Sequence, residues 1–162
     1  MTMAIMVWML AIPALGMMTG LRSMTPIAVV CWFAYTGHLP VEGTWAFWTG
    51  KLATSVIFTL LALGELIADK LPKMMDRTDP APLVTRLVFG GLVGAVGATG
   101  VLGSVLEGVL LGAVGALLGT FGGYLVRRQL VQWTGRPDWN IALIEDACAV
   151  VVSIFALGVI TG

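Results

Sequence analysis

Residues 83–126 read LVTRLVFGGLVGAVGATGVLGSVLEGVLLGAVGALLGTFGGYLV. Apart from Arg86 near its start and Glu107 near its middle this stretch has no charge, and Gly103-Ser104 divides it into two runs that are each about the ~20 residues a helix needs to cross a bilayer. The first run carries Gly90, Gly94, Gly97 and Gly100, and the second carries Gly108, Gly112, Gly115, Gly119 and Gly123. Small residues recurring every three or four positions line one face of a helix and let two backbones approach closely, which is how helices associate where lipid supplies no hydrophobic drive. The stretch is therefore read as a membrane hairpin, with Gly90, Gly94, Gly97, Gly108, Gly112, Gly115 and Gly119 as packing positions.

The rest of the chain fits that reading. Of 162 residues, 58% are hydrophobic and 11% charged, with a mean hydropathy of +0.95. Soluble domains carry about 25% charged residues, so a water-soluble globule is excluded. Nine basic residues offset nine acidic ones, and nothing in that balance points to nucleic acid. Upstream, apolar runs cover about residues 3–20, 26–35 and 45–69, and downstream one covers 141–160. The expected fold is all-α, a polytopic integral membrane helix bundle of about six spans, with the first two short, broken or re-entrant. Residues 1–162 form one transmembrane domain, with polar cytoplasmic loops at 70–82 and 127–140. The N-terminus lacks a basic segment ahead of its apolar run and is read as the first span rather than a cleaved leader.

Boundaries come from local chemistry. Gly20-Leu21-Arg22 interrupts the first run, and Ser23 or Thr25 is placed to cap the next helix ahead of Pro26, whose missing N–H is harmless in a first turn. That helix start is also a candidate anion site. Lys70–Pro82 holds three prolines and forms a water-exposed loop. Lys70, Lys73, Arg77 and Arg86 flank this loop and Arg127, Arg128 and Arg136 the other. The hairpin brings both sets to one face, which the positive-inside rule makes cytoplasmic, with both termini outside.

Charges inside spans cost about 2.5 to 3.5 kcal/mol each at a helix centre, so they tend to be paired or functional. Glu65 and Asp69 lie four apart on one helix face, Glu145 and Asp146 open the last span, and Arg22 falls between the first two. On the proposed topology all five reach one depth, with Arg86 and Arg127 at neighbouring helix ends. They are the candidate substrate or ion site, and Arg22 is expected to bond at least one of the four carboxylates. No catalytic residues, metal site or cofactor are assigned: HExxH, GxSxG, GxxxxGK and cysteine clusters are missing. Cys31 and Cys148 lie in apolar runs and read as small buried hydrophobes. Glu107 and His38 read as exposed.

Gly20-Leu21-Arg22 followed by Pro26, Glu65-x-x-Ala68-Asp69-Lys70-x-Pro72, the Gly/Ala hairpin and Leu143-Ile144-Glu145-Asp146-x-x-Ala149 together resemble a family of small bacterial inner-membrane proteins classed as a domain of unknown function. The resemblance implies the bacterial inner membrane as location and matches Arg22, Pro26, Glu65, Asp69, Lys70, Glu145 and Asp146 to its motifs; it implies no activity. The charge pattern leads to a transporter or channel for an ion or small solute. The alternative is a non-transporting scaffold or lipid-binding protein with structurally paired charges. Whether the charges line a water-accessible cavity or are sealed in pairs discriminates the two. The bilayer is the first expected partner, and two glycine stripes in one hairpin suggest a second copy of the chain as another.

Overall fold

The computed structural model describes residues 2–68, 79–134 and 138–162, and among them it is helical with no strand. Six α-helices follow in order: α1 Thr2–Leu21, α2 Met24–Tyr35, α3 Leu52–Ala68, α4 Pro80–Gly100, α5 Val105–Thr134 and α6 Asp138–Thr161. Three segments, Pro80–Gly100, Val105–Trp133 and Asn140–Thr161, are long and apolar enough to cross a membrane, while the apolar helices Val7–Leu21, Met24–Tyr35 and Leu52–Ala68 are shorter.

The glycine stripes decide the packing. A Cβ on Gly94 would collide with the Gly108 carbonyl, and one on Gly112 with the Gly90 carbonyl, so α4 and α5 lie backbone against backbone in antiparallel register. The opposite flank of the α5 stripe is taken by α1. Gly16 abuts Gly112, Gly115 abuts Pro13, Gly119 abuts Met17 and Gly20 abuts Ala116, in parallel register. Thr120 Oγ1, 2.8 Å from the Ala116 carbonyl, also donates across to the Gly20 carbonyl at 3.2 Å. Both small-residue faces are thus filled within one chain. The second small-residue face is the seat of α1. Gly97 differs from the others, since a Cβ there would meet Ile12 and Leu15 only at 3.8 and 4.0 Å, an ordinary contact.

Among the described residues the six helices run between two ends of the bundle. Trp8 lies against Gly103 at one end, and Leu21 against Gly123 at the other, the Arg22 end. From there α2 runs back; at 12 residues it rises only about 18 Å. The segment after it completes the crossing by folding into the bundle, with Leu39, Val41, Ala46 and Thr49 buried and Leu39 seated on Gly100. The other side of this segment, with His38, Glu42, Trp45 and Phe47, is exposed. Trp45 Nε1 ties this segment to α4 through Thr99 Oγ1 at 3.0 Å.

Several boundaries differ from expectation. The third run is helical only from Leu52, preceded by a short 3-10 turn at Phe47–Gly50. Helix α4 begins at Pro80 rather than after Pro82, because both prolines fall in a first turn, where no N–H is lost. Helix α5 runs on to Thr134, so the second polar loop is shorter than 127–140: Arg127, Arg128, Gln129 and Gln132 are good helix formers whose polarity does not end a helix. Lys70–Thr78 of the first loop lies outside the described residues.

Candidate functional site

The break between α1 and α2 sets the local problem. Ending one helix and starting another leaves unpaired carbonyls and N–H groups, and with Arg22 and Ser23 buried the protein itself must satisfy them. Neither Ser23 nor its hydroxyl solves it: Ser23 makes no side-chain cap hydrogen bond and has helical backbone angles. The cap comes from another helix. Glu65, on the last full turn of α3, accepts the Ser23 N–H at Oε1 (2.8 Å) and the Met24 N–H at Oε2 (2.9 Å). An anion at a helix N-terminus is favoured by the helix dipole as well as by these bonds. This corrects the assignment of Ser23 and Thr25 as caps or anion ligands: Thr25 is a buried first-turn residue, and the anion at this helix start is the protein's own carboxylate.

Arg22 faces the other way. Its N–H continues α1 by donating to the Met18 carbonyl at 2.8 Å, which puts its cation at the carboxyl end of the helix, the favourable pole. The guanidinium is 2% exposed and its Nε lies 2.5 Å from Asp146 Oδ1 on α6, whose side chain is 12% exposed. The pairing expected for Arg22 is therefore made with Asp146. The next residue on α6 turns to a different neighbour. Glu145 Oε2 lies 3.6 Å from Arg127 Nη1 on α5, and Oε1 comes within 3.5 Å of where a Gly123 Cβ would sit, beside Leu21.

Of the candidate residues, the structure brings Arg22, Glu65, Glu145 and Asp146 to one end of the bundle, distributed over three attachments: α3 to α2, α6 to the α1–α2 break, and α6 to α5. Asp69 lies outside the described residues. Arg86 is buried on α4, one turn before Gly90. His38 and Glu107 are exposed, as expected. Among the described residues no group of His, Cys, Asp and Glu is arranged to hold a metal ion.

A second feature was not anticipated. Helices α5 and α6 diverge over α1, leaving a groove of about 570 Å³ between them, within the range of small-ligand sites. Its α5 wall is a helical stripe running from Leu118 through Gly122 and Val126 to Leu130, and its α6 wall runs from Asn140 through Ile144 to Cys148. Met17, Met18 and Leu21 of α1 form the floor, and the Arg127–Glu145 pair lies partway along, with Leu130 and Asn140 beyond it. Cys148 is exposed on this wall, not buried as its apolar surroundings in sequence suggested; Cys31 is buried. One signal for the groove was present in the sequence. The stripe of α5 glycines continues past the positions that α1 and α4 fill, and a Cβ on Gly122 would meet nothing within 4 Å.

The family described as a domain of unknown function, DUF4126, matches residues 9–159, and the chain belongs to it. Comparison with curated proteins and with solved structures found no match.

Proposed function

We propose that this DUF4126 protein is a non-transporting lipid-binding protein of the bacterial inner membrane whose intramembrane charges hold its helices together. The observation that carries this reading is that Arg22, Glu65 and Asp146 are engaged by the protein's own groups at the break between α1 and α2. Arg22 is 2% exposed against Asp146, and both Glu65 oxygens accept backbone N–H groups. A translocating site must expose its ligating groups to water on at least one side. These groups instead satisfy a helix break. The groove over α1 supports the lipid-binding half of the reading, since its lining is mostly apolar with the Arg127–Glu145 pair set into it.

Orientation follows from the cations. Arg86, Arg127 and Arg128 belong to the Arg22 end, and the positive-inside rule places that end in the cytoplasm with both termini outside. The lipid site then opens to the inner leaflet.

Reconstitution tests the reading. Purified protein in liposomes should give no proton, alkali-cation or chloride flux above protein-free vesicles, and should retain phospholipid through gel filtration in detergent. Flux that Glu65→Gln abolishes would overturn the proposal in favour of a transporter.

A further inference from the structure

At the end of the bundle opposite Arg22, the connection from α2 to α3 has two sides. Leu39, Val41, Ala46 and Thr49 are buried in the bundle, while Trp45 is 45% and Phe47 53% exposed. Trp45 has no N–H left to offer that surface, because its Nε1 donates to Thr99 Oγ1 at 3.0 Å, and Thr99 Oγ1 in turn donates to the Ala95 carbonyl at 2.8 Å. What Trp45 exposes is carbon. An exposed ring whose donor is already bonded gains by leaving water for hydrocarbon.

Lys51 stands just before α3, with its Nζ 4.9 Å from the centroid of the Phe47 ring. This is a cation–π contact, and since an ammonium has three donors and the ring takes them from one side only, the others are left for a second partner. Lys51 is exposed, and among the described residues it makes no ion pair. Arg22, Arg86, Arg127 and Arg128 belong to the other end, so Lys51 is the one described Lys or Arg here.

Depth follows from α3. Leu52, Val56, Ile57 and Leu60 are exposed, so an apolar surface for lipid begins at the residue after Lys51. From Leu52 to Ala68 the helix rises roughly 26 Å, somewhat less than the ~30 Å of a hydrocarbon core. A lysine at such a boundary lays its stem along apolar surface and lifts its ammonium to the headgroups. The Phe47 ring supplies that surface.

We infer that Trp45, Phe47 and Lys51 form a phospholipid contact in the leaflet at this end, with Lys51 Nζ on a headgroup phosphate and the two rings against the upper acyl chains. A phospholipid is the occupant because the surface asks for both of its halves, an anion for the ammonium and hydrocarbon for the rings. The contact is separate from the groove between α5 and α6 and does not depend on that groove being filled.

Two measurements on the full chain in phosphatidylglycerol bilayers test it. In solid-state NMR of protein isotopically labelled at lysine Nζ, the signal that Lys51→Gln removes should be dephased by lipid phosphorus, and Phe47→Leu, which keeps an apolar side chain without a ring face, should weaken that dephasing. Trp45 emission, taken as the difference between the protein and its Trp45→Phe variant, should be quenched several-fold more by lipids brominated high on the acyl chain than by aqueous iodide. A Lys51 signal without dephasing would overturn the phosphate contact. Quenching of Trp45 by iodide and not by brominated lipid would put the connection in water and overturn the whole inference.

Discussion

The two oxygens of Glu65 accept the backbone N–H groups of Ser23 and Met24 at 2.8 and 2.9 Å, so a side chain from α3 terminates the break between α1 and α2 more than forty residues away in sequence. Hydrogen bonds to a charged group contribute about 1.5 to 3 kcal/mol each. Glu65→Ala should therefore destabilise the protein by a few kcal/mol, and Glu65→Gln, which keeps one acceptor oxygen, by less. Hydrogen exchange at Ser23 and Met24 should quicken in both, with thermal unfolding ranking them; unchanged protection at Met24 in the alanine variant would contradict the cap.

Removing one member of the Arg22–Asp146 pair leaves the other charge buried without it. Breaking such a pair costs about 3 to 5 kcal/mol, whereas replacing both members by apolar residues of similar size is often neutral or stabilising. Arg22→Met and Asp146→Leu should each lower the unfolding temperature, and the double variant should recover much of the loss. Additive losses would mean that the two side chains do not stabilise each other.

Gly112 is wedged between Gly90 of α4 and Gly16 of α1. Overpacking in an adaptable core costs ~1–3 kcal/mol, and here the neighbours are backbone, which cannot yield as side chains do. Gly112→Leu should cost more than that range, seen as lost folded yield. Gly97→Ala, placed at ordinary contact distance, should cost under about 1 kcal/mol. A folded Gly112→Leu protein that differs only in oligomeric size would instead put this stripe at an interface between copies.

Leu102 holds a φ of +57° in the turn between α4 and α5. Its N–H and that of Gly103 return to the Thr99 and Ala98 carbonyls at 3.1 and 2.8 Å, closing the end of α4 in the manner of a Schellman motif. A left-handed conformation costs a side chain roughly 1–2 kcal/mol that glycine avoids, and Leu102 is 95% exposed. Leu102→Gly should raise stability by about 1 kcal/mol in thermal unfolding, since almost no packing is lost.

The membrane bundle, the paired crossings of residues 83–126 and the close-packing role of Gly94, Gly108 and Gly112 were legible in the sequence. They follow from properties repeated along the chain: apolar length against bilayer thickness, and small residues at helical spacing. That Arg22, Glu65, Glu145 and Asp146 would share one end was legible too, because it depends only on the order and direction of crossings. Their partners were not. Asp146 meets Arg22 while Glu145 meets Arg127 because adjacent helix positions point about 100° apart, and the rotation of α6 is set by packing against α1. Ser23 had the residue type of a cap, yet Glu65 took that role because the position of α3 brought two acceptor oxygens to the same N–H groups. Only the assembled helices showed that α1 fills the second glycine face, that α5 and α6 part at Gly122, and that Cys148 opens onto the gap, since each depends on which neighbour arrives and how closely.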